Sequence, residues 1–133
     1  MKNIRGYIFS RPFMGERVPQ HVQNLVIRDY CNRNHLQYLL SATEYAIEGC
    51  HIVFTQVLIE LPKIDGIAIY SLFQLPEEAK LRREIYNTII SFGKELHFAV
   101  EGLKATNWKE LDRIEVMWNV RQALPSCPTA LNF

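Results

Sequence analysis

An excess of either charge is missing from this chain: 15 Lys+Arg stand against 14 Asp+Glu in 133 residues, a net charge of +1. A surface built to bind polyanions by bulk charge is not expected, and nucleic acid is not an expected partner. Cysteine is scarce and odd in number, with Cys31, Cys50 and Cys127 far apart. That usage makes no disulfide framework and fits reduced thiols in a cytoplasm. Long apolar runs are lacking as well. Uncharged stretches such as Gly49–Ile59 are too short to cross a bilayer, and Lys2 and Arg5 break up any apolar leader. A cytoplasmic location without membrane association follows as the expectation. There is no phosphate-binding P-loop, no Gly-x-Gly-x-x-Gly, no nucleophile elbow, no helical histidine pair and no cysteine knuckle. Cys50 and His51 are adjacent rather than spaced as ligands, so neither a metal nor a cofactor is expected. What remains, 48% hydrophobic and 22% charged, is the composition of one globular domain.

The chain reads as alternating strands and helices. Gly6–Ser10 is apolar almost throughout, as a strand covered on both faces should be, and it stops at Arg11-Pro12. Val18-Pro19 opens a helix whose apolar face is expected to hold Val22, Leu25, Val26 and Tyr30. His35–Ser41 is a second strand. Cys50–Leu61 fits either period, and helix is preferred because two parallel strands need a crossover of about that size. Gly66–Leu72 is a third strand. A helix follows Pro76-Glu77-Glu78, with Leu81, Ile85, Ile89 and Phe92 as its expected buried face. Glu95–Val100 is a fourth strand, and Asn107 caps a last helix with Leu111, Ile114, Met117 and Trp118 on its apolar side. The expected fold is a single three-layer α/β domain over residues 1–124, with a four-stranded, mainly parallel, flavodoxin-like sheet and a short tail at 125–133.

In such a sheet, ligands bind beyond the carboxyl ends of the strands, near a reversal of strand order. That rule gathers Ser10, Arg11 and Arg17 after the first strand, Ser41, Thr43 and Glu44 after the second, Tyr70, Ser71 and Gln74 after the third, and Glu101 after the fourth. Arg11 and Arg17, ahead of a helix, are candidates to seat an anion. Tyr7, Phe13, Tyr70 or Phe73 would stack on a sugar or base face. Glu44 and Glu101 would supply acid–base chemistry if they face one pocket, since neighbouring carboxylates separate each other's pKa values. Ser10 is a third catalytic candidate, although no His–Asp partner is evident for it.

Two resemblances add to this reading. Arg5–Arg11 and Ile69–Pro76, placed before a charged helix, resemble the catalytic domain of serine recombinases. That family carries a nucleophilic serine on the first strand and an Asp-Arg-Leu-Gly-Arg-type run after the third. Phe73-Gln74-Leu75-Pro76-Glu77 stands here instead, without its cations, so the resemblance implies a resolvase-like fold and not recombination. Nearly the whole chain also looks like the sporadic carbohydrate-cluster proteins, which are encoded with bacterial surface-sugar biosynthesis genes. The residues concerned are Gly6–Phe13, Glu44-Tyr45-Ala46, Gly49-Cys50, Tyr70–Pro76 and Glu101. This resemblance implies a role in surface-polysaccharide or nucleotide-sugar biosynthesis.

Two functions are therefore expected as alternatives. One is binding of, or action on, a sugar phosphate or nucleotide sugar, with Arg11 and Arg17 on phosphate and Ser10, Glu44, Ser71, Gln74 and Glu101 addressing hydroxyls. The other is a non-catalytic scaffold that forms a homo-oligomer through the broadly apolar Cys50–Leu61 segment. Whether the chain is an enzyme is left open by its residues.

Overall fold

A computed structural model describes residues 1–47 and 49–124. The expected tail, with Cys127, lies outside the described residues. The elements run β1 (Asn3–Ile8), α1 (Gln20–Arg33), β2 (Gln37–Thr43), α2 (Ile52–Glu60), β3 (Gly66–Ile69), α3 (Ala79–Ser91), β4 (Glu95–Phe98), β5 (Leu103–Ala105) and α4 (Trp108–Ala123). The sheet order is β2-β1-β3-β4-β5. β1 to β4 are parallel, and β5 lies antiparallel to β4. Four parallel strands with helical crossovers were legible in the sequence. The fifth strand corrects the expected count. It is three residues long, reached through a turn at Gly102 with φ of 65°, and too short to show alternation.

Alternation along the central strands divides the core. Ile4 and Ile8 of β1 and Ala68 of β3 face α1, where Ile27, Tyr30 and Cys31 cover them. Tyr7, Ile67, Ile69, Leu96 and Phe98 face the other way, under Phe54, Ile85, Ile89, Leu111 and Trp118 of α2, α3 and α4. Both faces of the sheet are thus covered, which is why its strands read as continuous apolar runs. Gly6 sits where the β1–β2 register shifts between Arg5 and Tyr7. A β-carbon there would lie 2.2 Å from the Ser41 hydroxyl oxygen, so the close approach requires glycine. Cys50–Leu61, ambiguous by pattern, is helical over most of its length. Asn107 caps α4 as expected, its side-chain oxygen accepting the Glu110 N–H at 3.0 Å.

Two helix faces differ from their expected composition. On α1, Leu25 is exposed, and the buried positions are Gln23, Ile27, Tyr30 and Cys31. On α3, Leu81 and Phe92 are exposed, while Arg82 and Tyr86 join Ile85 and Ile89 inside. In both cases a polar side chain holds a core position because hydrogen-bond partners meet it there. Gln23 donates from Nε2 to the carbonyls of Phe9 and Val18, and its Oε1 accepts from Gln74 Nε2 at 2.9 Å. Arg82 forms a bidentate pair with Glu115 at 2.8 and 2.9 Å. Burial of a polar group is tolerable on those terms and otherwise costly. On the α1 side, His97 of β4 is held between the Tyr30 hydroxyl at Nδ1 and Glu95 at Nε2, and Lys2 pairs with Glu95.

Candidate functional site

From β1 the chain crosses α1 to β2, then returns past β1 to β3, so the order of strands reverses between β1 and β3. The backbones leaving these two strands diverge and open a crevice between them. A cleft of about 230 Å³ occupies that place. Phe9, Arg11, Pro12 and Phe13 line it from β1, and Phe73, Gln74, Leu75, Pro76 and Glu77 from β3, with Gly49, His51 and Leu81 completing it.

Its floor is fixed by local chemistry. Ser71 begins a 3₁₀ turn over Leu72–Gln74, its hydroxyl accepting the Phe73 N–H while Gln74 Oε1 accepts the Ser71 N–H. Glu101, arriving after β4, accepts from the Ser71 hydroxyl at 2.8 Å and from the Leu72 N–H at 3.0 Å. Gln74 reaches across to Gln23, which grips both backbone groups of Phe9. The ends of β1 and β3 are therefore tied to one another through two buried amides.

Arg11 supplies the cleft's guanidinium. Its carbon stands 4.2 Å from the centre of the Phe9 ring, and Nη1 donates to the Tyr45 and Ile47 carbonyls at 3.3 Å. Phe13 stands edge-on to Phe9 and Tyr70. His51, directly before α2, has a buried Nδ1 with no hydrogen-bond partner among the described residues. Burial and the charge of Arg11 hold its pKa below the usual histidine value, against the opposing pull of Glu44.

The remaining sequence candidates take other places. Arg17 is exposed and does not line the cleft, so the expected two-arginine seat reduces to Arg11. Ser10 is half-buried beside Arg11 and is also outside the lining. Tyr7 is fully buried, donates to Glu44 at 2.8 Å and offers no face to a ligand. Tyr70 is half-buried against Phe13, and desolvation raises its pKa. Glu44 is buried at the start of α2, accepting the N–H groups of Val53 and Phe54 at 3.0 and 3.1 Å together with that of Tyr45. Burial works against its charge. The two helix amides, the Tyr7 hydroxyl and the Tyr45 amide outweigh it, and the carboxyl titrates below its ordinary range. Glu44 and Glu101 thus serve two different backbone turns, and neither lines the cleft. Gln23 and His51 are the residues that sequence reasoning passed over. Gln23 looks like any polar helix residue, whereas His51, at the mouth of an apolar helix after β2, could have been found by the strand-end rule.

Among the described residues, no three His, Cys, Asp or Glu side chains gather as metal ligands, and no helix is long and apolar enough to cross a membrane. No protein-family model and no curated protein matches the chain. Among solved structures it is similar to the N-terminal catalytic domain of TP901-1 integrase, with a TM-score of 0.62 and 11% identity over 97% of this chain and 99% of that one. It is also similar to a resolvase family site-specific recombinase from Streptococcus pneumoniae, with a TM-score of 0.63 and 10% identity over 96% and 93% of the two chains. At such identities the likeness is one of fold, and the chain has a resolvase-like α/β fold. These comparisons lend no support to the carbohydrate-cluster resemblance.

Proposed function

We propose that the chain binds a small sugar phosphate in the cleft between the ends of β1 and β3. The observation that carries this reading is Arg11, a guanidinium at the strand-order reversal with aromatic rings of Phe9, Phe13 and Phe73 beside it. A guanidinium suits a phosphate, and rings suit the apolar face of a sugar. The sugar itself comes from the sequence resemblance to carbohydrate-cluster proteins. At about 230 Å³ the space falls below the roughly 300–1,000 Å³ of typical ligand sites. That size favours one sugar ring with its phosphate over a whole nucleotide sugar. Because Glu44, Ser71, Gln74 and Glu101 are committed to backbone turns, their role is to shape the site, and binding rather than turnover is the function proposed. Arg11→Ala is expected to weaken hexose phosphate binding about ten- to a hundredfold by calorimetry, whereas Arg17→Ala leaves it unchanged. Equal affinity in wild type and Arg11→Ala would sink the reading.

The scaffold alternative has an observation of its own. On α2, Ile52 and Ile59 are 56% and 75% exposed, although the helix is apolar nearly all round. Ile59 lines a groove of about 430 Å³ that reaches Ala42 on the edge strand β2. A second copy would cover this face. Light scattering should then give twice the chain mass for wild type and one chain mass for the Ile52→Lys, Ile59→Lys double variant. Wild type at one chain mass rejects the scaffold.

A further inference from the structure

Two residues of opposite charge line the cleft without pairing. Among its described lining residues, Arg11 and Glu77 are the ones charged at neutral pH, since burial and the Arg11 guanidinium hold His51 neutral. Arg11 follows β1 and Glu77 follows β3, so each strand end contributes one sign. No ion pair joins them, and none reaches either from another described residue. Arg11 Nη1 donates to the Tyr45 and Ile47 carbonyls, which carry no charge to neutralise it. Glu77 is fixed through its backbone and not through its acid group. Its carbonyl accepts from the buried Arg82 at 2.7 Å and from Gln122 Nε2 at 3.3 Å. The residue is exposed, and its carboxylate has no hydrogen-bond partner among the described residues. Arg121 shares an adjoining groove with Glu77, but its Nη2 donates to the Met14 carbonyl instead.

Building on the cleft reading above, we propose that the sugar phosphate bound there is an amino sugar phosphate, its phosphate on Arg11 and its ammonium on Glu77. A phosphate by itself is attracted by one of these charges and repelled by the other. A neutral sugar phosphate leaves Glu77 to water, whereas a protonated amine on the ring forms a charge-assisted hydrogen bond with it. One sugar ring then carries both signs within a cleft of about 230 Å³. The segment that bears Glu77 is held by a buried arginine before any ligand arrives, so little ordering of that wall opposes binding. Glu77 is thus a specificity contact that selects among sugar phosphates, while Arg11 is the seat common to all of them.

Calorimetric titration just below neutral pH, where the sugar amine is protonated, tests this on wild type, Glu77→Gln and Arg11→Ala. Glucosamine 6-phosphate is compared with glucose 6-phosphate, and glucosamine 1-phosphate with glucose 1-phosphate. In at least one pair the amino sugar is expected to bind wild type about three- to tenfold more tightly, as suits a charge-assisted contact partly screened by water. Glu77→Gln should abolish that preference by weakening the amino sugar while leaving the neutral sugar unchanged or tighter. A damaged fold would weaken both alike, so the opposed directions are specific to the lost charge. Arg11→Ala should weaken both members of the pair. Added salt should shrink the preference of wild type and leave Glu77→Gln without one. Equal affinity of wild type for amino and neutral sugars, a preference that persists in Glu77→Gln, or equal weakening of both by that variant would overturn the role of Glu77 while the cleft reading stands. Wild type that binds none of these sugar phosphates overturns the cleft reading, and the amino sugar with it.

Discussion

Replacing Arg82 with alanine is expected to cost the fold about 3–5 kcal/mol, the largest effect of any single substitution considered for this chain. The guanidinium is 1% exposed, and every polar edge of it is occupied. Nε and Nη2 pair with the two oxygens of Glu115, while Nη1 donates to the carbonyls of Pro76 and Glu77 at 3.0 and 2.7 Å. One face lies 4.3 Å from the centre of the Trp118 ring. Glu115 in turn accepts from the Tyr86 hydroxyl at 2.6 Å. Burial pushes the Glu115 carboxyl up, but Arg82 and Tyr86 outweigh it, and the group is held ionised below its ordinary range. Removing the arginine leaves that charge buried beside Trp118 and frees the loop that forms one wall of the cleft. Small domains hold only about 5–15 kcal/mol in total, so a large share would be lost. Urea unfolding measures it directly. Arg82→Met combined with Glu115→Leu should recover much of the loss, because an apolar pair of similar volume leaves no orphaned charge. A loss under about 1 kcal/mol in Arg82→Ala would mean that the pair contributes little, as surface ion pairs do.

Glu44→Gln is the second substitution with a large expected effect, about 3 kcal/mol at neutral pH. An amide can present only one acceptor oxygen, and its NH₂ would face the donors that the second carboxylate oxygen now satisfies. Depending on which way the amide turns, either the Tyr7 hydroxyl and the Phe54 N–H or the Tyr45 and Val53 N–H groups would lose their acceptor. The pH dependence carries a signature. Glu44 titrates below its ordinary value of 4.5 in the folded chain. Its contribution is therefore complete above about pH 5 and is lost as pH falls through the lower folded value. Glu60, Glu95, Glu110 and Glu115 are shifted in the same direction, so wild type weakens in acid for several reasons together. The difference in stability between wild type and Glu44→Gln isolates one of them. It should be near-constant from pH 8 to 6 and shrink toward pH 3. A difference that stays constant into acid would show that Glu44 is not held ionised by its turn.

Both predictions concern residues whose place in the fold is invisible locally. Glu44 and Glu101 looked like a pair of acids poised at strand ends, and the strand ends are where the chain puts them. Their partners, however, are backbone N–H groups that exist as free donors only after α2 and the Ser71 turn have formed. Arg11, Phe13 and Gln74 were brought to one crevice as expected, because the alternation of strands and helices already implied a parallel sheet with a reversal of order. Tyr7 was drawn into the core instead, since the same alternation turns its side chain under Phe54, 4.7 Å between ring centres.

By itself, then, the sequence determined the parallel α/β alternation, the Asn107 cap and the strand ends, those of Arg11, Phe13 and Gln74, that meet at the cleft. These rest on signals local in the chain: apolar runs, proline and glycine punctuation, and crossover length. Only the tertiary structure decided the short fifth strand and the burial of Gln23, Arg82 and Glu115. A polar side chain enters a core only where a partner meets it. The partners here lie 51 residues apart for Gln23 and Gln74 and 33 apart for Arg82 and Glu115, beyond the reach of any local pattern.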